Sequence, residues 1–358
     1  MFMKNGAADI GRLIQIGIDN GTRRTIIKGD WEIECAVRVP SDFTLILDSC
    51  HLKMAEGVFD NMFVNEHYGT EEGKTVEGTD RNISIIGRGN VILDGGEFNG
   101  LSEKTQRKDG MPPVYKNHII LFNNVDGFEI KNLTIHNMSH WAMDFIYCAN
   151  GIISDINFKA DDTCINEDGT VYHGLSEEHY YDMLRKQTDG IDIRRGCHHI
   201  LIENISGFTG DDTVALTSLY GTVEKDHEVE GLPGDICYIM IKNVVSESMA
   251  ANVRLLCQSK DENKVSRLHH ILVDGVEDIS DTTEHLLTHG SYGVHVNDTR
   301  MYSGRHATAE EMHDITIRNV RSRADHALGI AGNPIKNFQY ENIVAFDGAN
   351  CIQDLTIK

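Results

Sequence analysis

From residue 80 onward, short runs of alternating apolar and polar residues keep returning along the chain. They read NISIIG at 82–87, GFEIKNL at 127–133, GIISDI at 151–156, HILIENI at 199–205, CYIMIKNV at 237–244, HILVDGV at 270–276, DITIRNV at 314–320 and NFQYENI at 337–343. Each copy has the period of two that marks a strand with one buried face, followed by a small or polar corner. Phe128 and Ile152 are 24 residues apart, and Ile315 and Phe338 are 23 apart. The longer gaps elsewhere read as one coil plus an insertion. A period in the low twenties with three short strands per repeat predicts a right-handed parallel β-helix. Leucine-rich repeats share the period but need a fixed leucine pattern that this chain lacks. Asn132, Asn204, Asn243, Asn319 and Asn342 end several copies. They suit either an internal ladder of amides bonding from coil to coil or a left-handed corner that Asn tolerates.

Ahead of the repeats, residues 7–20 (AADIGRLIQIGIDN) carry Ile10, Leu13, Ile14, Ile16 and Ile18 and run into Gly21. One short amphipathic helix is expected there, an N-terminal cap over about 1–22 that hides the open strand edges of the first coil. Residues 25–27, 31–33 and 43–47 are strand-like. Insertions interrupt the coils at 68–79, 99–116, 166–186, 220–234 and 278–309, and loops leaving one face of a solenoid usually build its cleft. Within them, SEEHYYDMLRK at 176–186 reads as helical, with Ser176 as its cap.

A chain of 358 residues can bury one long core, and the repeats predict a single β-helix domain over 1–358. Its formal net charge of −22 argues against nucleic acid or an anionic membrane surface as a partner. No run approaches the roughly 18 apolar residues of a membrane span. The first 15 residues hold no apolar signal core, so a cytoplasmic location is expected. The eight cysteines form no CxxC pair and most lie in apolar runs, as buried free thiols do. A homo-oligomer is left open.

The chemistry concentrates at 187–216, QTDGIDIRRGCHHILIENISGFTGDDTVAL. Asp189, Asp192, Asp211 and Asp212 end short apolar runs, with Asp189 and Asp211 22 residues apart. If that distance is one coil, the two groups stack at roughly 4.8 Å and four carboxyls crowd one patch. A single Asp in such a corner is ordinarily a turn residue. Like charges that close raise one another's pKa, which is how one carboxyl becomes an acid and its neighbour a base. A carboxylate trio is also a set that Ca²⁺ could take, but the reading needs no metal and no cofactor. His173, His289, His295 and His306 fall in inserted loops, and no zinc-type spacing stands out.

These segments resemble glycoside hydrolase family 28, the polygalacturonase-like β-helix enzymes. Residues 83–89 with 93–96 are similar to its "ItGrG…iDGgG" turn, and 139–150 (SHWAMDFIYCAN) to its "SPxW…xxCxN" segment. QTDGID at 187–192 resembles "NTDGID", and GDDTVAL at 210–216 resembles "GDDCVAI". The resemblance implies that Asp211 protonates the glycosidic oxygen while Asp189 and Asp212 activate water on the opposite face, the inverting arrangement. Asp192, Trp141 and Asp144 then face the sugar, Trp141 as a stacking platform.

The chain also departs from the family. Gln187 replaces Asn, and one extra residue separates the aspartate groups. The Gly-His-Gly motif has no counterpart, its place being taken by SMAAN at 248–252. The Arg-Ile-Lys that holds a substrate carboxylate is missing too. Arg254 and His295 are the nearest substitutes for substrate binding, Arg254 as a clamp for a carboxylate or hydroxyls. The expectation is therefore a glycoside hydrolase acting on a carbohydrate, a pectin-type galacturonide or a related sugar. The rivals are a β-helix lyase, epimerase or cyclase, and a non-catalytic carbohydrate-binding β-helix.

Overall fold

The computed structural model describes residues 3–96, 117–138, 140–160, 163–165, 171–173, 188–221, 225–280, 292–346 and 350–358. Nineteen of the described strands join one sheet whose pairings are parallel, apart from a short antiparallel contact of Arg305–His306 with Ala251–Ser259. The sheet winds on itself as a parallel β-helix. Each coil lays three strands on the coil before it, because a strand such as Ile120–His136 turns corners at Asn124 and Asn132, both in the left-handed region.

The period-2 pattern becomes stacked columns inside the coil. Leu45, Ile85, Ile130, Ile153, Ile202, Ile241, Val273 and Ile317 are register partners from coil to coil, and all are fully buried. Each such side chain contributes roughly 1.5–3 kcal/mol on leaving water. The repeat register differs by one residue from the sequence reading at one place. Gly151 stands opposite Phe128, and Ile152 opposite Glu129. The Phe128 ring occupies the room that a side chain at 151 would need, since a Cβ there would lie 2.0 Å from the ring.

Asn132, Asn204, Asn243, Asn319 and Asn342 all adopt positive φ, between 52° and 58°. Their amides also bond along the stack as a ladder shared with aspartates: Asn243 donates to Asn204 at 2.8 Å and Asn342 to Asn319 at 2.7 Å, while Asn204 and Asn319 donate to Asp155 and Asp274. The ladder is on the exposed outside of the corner rather than internal, and the left-handed corner, the alternative reading of these asparagines, is present at all five. An outward corner is where a polar side chain can bond along the stack without displacing the apolar columns.

The helix Gly6–Asp19 caps the first coil, burying Ala7, Ile10 and Ile14. Glu34 receives the backbone N–H groups of Ala7 at 3.0 Å and Ala8 at 3.2 Å, placing a carboxylate at the helix N-terminus. Cys50, Cys148, Cys197 and Cys257 are buried free thiols, whereas Cys35 and Cys351 are exposed. The helix expected at 176–186 lies outside the described residues. No helix among the described residues is long and apolar enough to cross a membrane.

Candidate active site

One face of the β-helix carries a row of polar residues that the strand alternation turns outward. The strand Thr188–Ile193 lies between His140–Lys159 and Val214–Ser218, and register places Asp144, Asp192, Ala215, Arg254 and His295 opposite one another in turn. At the spacing of parallel strands these five positions span about 19 Å. Their neighbours Met143, Ile191, Val214, Val253 and Val294 point into the core and are fully buried.

Asp189 lies at the start of its strand, opposite Trp141. The Gly190 N–H donates to the Asp212 carbonyl at 2.9 Å and the Ile191 N–H to the Thr213 carbonyl at 3.0 Å, so the two aspartate corners sit on adjacent coils. Gly190 is required for that closeness, because a Cβ there would meet the Thr213 carbonyl oxygen at 2.4 Å and the Phe158 ring at 2.9 Å.

The corner bearing Asp211 and Asp212 is held from the next coil. Ser248 donates its hydroxyl to the Asp211 carbonyl at 2.8 Å, as does Thr209 at 2.9 Å. Thr213 joins the hydroxyls of Thr209 and Ser246, and Asn252 donates to the Ser246 carbonyl at 2.7 Å. Ser248 and Asn252 belong to the segment that stands in place of Gly-His-Gly, and here they brace the aspartate corner.

The site is buried and rich in carboxyls. Asp144 and Asp192 are fully buried, Asp189 and Asp212 nearly so, and Asp211 is half-buried. Burial, then the charges of Asp211, Asp192 and Asp212, holds the Asp189 carboxyl well above the usual carboxylate range, against the pull of Arg194. Burial pushes Asp192 up to about 8; Arg194 opposes, while Asp144 and Asp211 add to the rise. Asp212 is also pushed up to about 8, by burial and Asp211, with Arg254 opposing and Asp192 adding. These carboxyls cannot all be ionised together, so at neutral pH the group retains protons.

Two guanidinium groups face the carboxyls. Arg194 places Nη2 2.9 Å from Asp192 and Nε 3.6 Å from Asp144, and its guanidinium lies 3.5 Å over the Trp141 ring. The sequence reading missed Arg194, although it lies two residues after Asp192 and a strand puts i and i+2 on one face. Trp141, expected as a sugar platform, thus stacks on Arg194, and at 5.7 Å on His118. Arg254 bonds His295 Nδ1 at 2.8 Å and Asp298 at 2.6 Å. Burial works against its charge, but Asp212, Tyr302 and Asp298 outweigh burial and hold its pKa above the ordinary value.

His295 stacks on Tyr292 at 3.8 Å, and burial together with Arg254 lowers its pKa to about 3, so it is neutral. A neutral imidazole whose Nδ1 accepts from Arg254 carries its remaining proton on Nε2. Tyr292 in turn donates to Gln353 at 2.7 Å. Asp298 and Tyr292 had no signal in the sequence beyond their nearness to His295. The structure therefore brings Asp144, Asp189, Asp192, Asp211, Asp212, Trp141, Arg254 and His295 to one face. His289 and the side chain of His173 lie outside the described residues, and His306 sits on the short strand Arg305–His306.

The family model for glycosyl hydrolases family 28 matches residues 34–232, more than half the chain and all five aspartates. No curated protein matches the chain by sequence. Among solved structures it is similar to 1,3-alpha-1,4-beta-D-galactose-4-sulfate-3,6-anhydro-D-galactose-2-sulfate 4 galactohydrolase, with TM-score 0.61 and 13% identity over 98% of this chain and 85% of that one. A tailspike protein of E. coli bacteriophage HK620 in complex with a pentasaccharide matches with TM-score 0.57 and 10% identity, over 97% of this chain and 60% of that one. The mannuronan C-5 epimerase A-module of Azotobacter vinelandii gives TM-score 0.50 and 12% identity, over 93% and 71%. At these identities the structural likeness is one of fold.

Proposed function

The chain belongs to glycosyl hydrolases family 28, and from that membership we propose that it cleaves a glycosidic bond with inversion at the aspartate cluster. Asp211, the most accessible of the five carboxyls, protonates the departing glycosidic oxygen. Asp189 and Asp212 hold the attacking water. Asp189 Oδ1 and Asp212 Oδ1 are buried with no hydrogen-bond partner among the described residues, which makes them available to that water. Each turnover moves one proton from the acid to the leaving group and returns one from the water to the base. The crowded carboxyls share their protons, and the reactive form is the one with the proton on Asp211 and with Asp189 and Asp212 ionised.

The observation that carries the reading is the stacking of two buried aspartate corners on adjacent coils, with carboxyl pKa values raised to about 8. A structural turn aspartate is neither desolvated nor crowded in this way. Five carboxyls facing two guanidinium groups leave the site short of positive charge, and Arg254 is already paired with Asp298. This favours a neutral glycosyl unit, such as a galactoside or rhamnoside, at the cleavage position over a uronate. The Arg254 and His295 Nε2 donors would bond sugar hydroxyls.

The test is a panel of galacturonide, galactoside, rhamnoside and fructan oligomers incubated in ¹⁸O water with wild type and Asp211→Asn, with products read by mass spectrometry. Cleavage that incorporates ¹⁸O and is lost in the variant supports hydrolysis. Products with an unsaturation or an internal anhydride and no ¹⁸O would overturn it. Uronides turned over faster than neutral glycosides would refute the assignment of the sugar.

A further inference from the structure

The aspartate site leaves unused a second cluster, at the corner that leads into the next face of the coil. There the repeats carry adjacent polar pairs: His198-His199, Cys237-Tyr238, His269-His270 and His313-Asp314. Register aligns His269 with His313. The second member of each pair takes positive φ, which turns its side chain outward. We propose that His270, His313 and Asp314 bind one divalent transition-metal ion of the zinc, cobalt or nickel type, clasping the strands Leu268–Asp278 and Met312–Ser322.

The geometry is that of a metal site awaiting small adjustments. A nitrogen of His270, a nitrogen of His313 and an oxygen of Asp314 all lie within 4.8 Å of one another. Asp314 Oδ2 is 2.6 Å from His313 Nδ1 and 3.8 Å from His270 Nε2. Tetrahedral ligands at metal distances of 2.0–2.2 Å stand about 3.4 Å apart, so shifts of under an ångström close the set. Two imidazoles and one carboxylate suit a borderline divalent cation better than Ca²⁺ or Mg²⁺.

The surroundings orient two of the three ligands, Asp314 and His270. Asn337 donates to Asp314 Oδ1 at 2.7 Å, leaving Oδ2 toward the histidines. His270 Nδ1 lies 2.7 Å from His269 Nδ1, and His269 Nε2 faces Asp235 at 3.8 Å. One proton arrangement satisfies this chain: His269 carries its proton on Nε2 toward Asp235, and His270 donates from Nδ1 to His269. His270 Nε2 then keeps its lone pair for a metal, in the manner of the carboxylate–histidine–metal chains that orient ligands. The His269 and His313 rings stack at 4.8 Å and 4°, which restrains both. His270 and Asp314 side chains are 42% and 35% exposed, so an ion can enter and water can complete its shell.

His198 and His199 repeat the contact, with Nδ1 atoms 2.9 Å apart, but the next coil offers them Cys237 and Tyr238, with no carboxylate. They serve as the internal control. After dialysis against chelator, the full chain is titrated with Co²⁺, following the visible d–d bands, and with Zn²⁺ by calorimetry. One ion per chain is expected. His270→Ala and Asp314→Ala should each weaken binding by at least ~10-fold, and His269→Ala by about 10–100-fold through lost orientation. His199→Ala and Asp211→Asn should leave it unchanged. Circular dichroism checks that each variant is folded, and His270→Gln provides a second removal of the same ligand. No stoichiometric ion, or binding that survives both His270 variants, overturns the proposal, as does loss in His199→Ala or Asp211→Asn.

Discussion

Replacing Asp212 by Asn should abolish turnover and make the protein more stable at alkaline pH. Asp212 is 9% exposed, and its folded pKa is about 8 against an unfolded value of 3.8. For an acid whose pKa is raised by folding, the unfolded chain releases the proton first. Below pH 3.8 both states hold the proton and no penalty exists. The penalty grows from there and is complete near pH 8, so stability falls with rising pH across that window. Roughly four pKa units at about 1.4 kcal/mol each set an upper bound near 6 kcal/mol at pH 8. Neutralising one carboxyl also eases the ionisation of Asp211 and Asp192, whose charges act on Asp212, and the Asn amide loses some of the carboxyl's hydrogen bonding. A net gain of about 2–3 kcal/mol is therefore expected, or about 3–4 °C in Tm at roughly 2 cal/mol/K per residue. Urea unfolding of wild type and variant from pH 4 to pH 9 measures it. The two should coincide at pH 4 and diverge steadily toward pH 8. A variant of unchanged or lower stability at pH 8, or a gain independent of pH, would refute the account of Asp212 as a desolvated, crowded carboxyl.

Arg194→Met removes the cation shared by Asp144 and Asp192 and should cost about 3–5 kcal/mol at pH 8, measured by chemical denaturation, because a buried charge loses its partner. The loss should shrink at pH 5, where Asp192 is protonated in either protein. Gly151→Ala drives a Cβ into the Phe128 ring and should destabilise by about 1–3 kcal/mol, read from the shift in Tm, with the aspartate site untouched. Arg254→Gln frees Asp298 and removes a donor beside Asp212. It should raise KM, lower kcat/KM by about 10–100-fold and move the acidic limb of the pH–rate profile to higher pH, since Arg254 normally favours the ionised form of Asp212, a base in the reaction.

Much of this molecule follows from its sequence because a solenoid is built from near neighbours. A strand alternation repeated every coil decides which side chains point inward, so the columns through Ile85 and Ile130, and through Ile202 and Ile241, were legible in the sequence. The stacking of the two aspartate groups was legible for the same reason, one coil being about as long as the 22 residues from Asp189 to Asp211; that the coil takes one residue more, and so sets Asp212 beside Gly190, was not. The helix Gly6–Asp19 declared itself through its apolar spacing. Other features needed the third dimension. Whether the asparagine ladder lies inside or outside depends on the sign of the corner, which is set by a single φ. Gly151 could take the register position of Ile152 only because the Phe128 ring, one coil away, fills the space above it. Asp298 escaped notice because its pairing with Arg254 acts across coils, at a distance in sequence that no period encodes, and so does the approach of Arg194 to Asp144, although Arg194 also pairs with Asp192 two residues away. The raised carboxyl pKa values have the same origin. Aspartates in a sequence are ordinary acids, and it is burial and the approach of like charges in the wound sheet that raise the pKa of Asp189, Asp192 and Asp212.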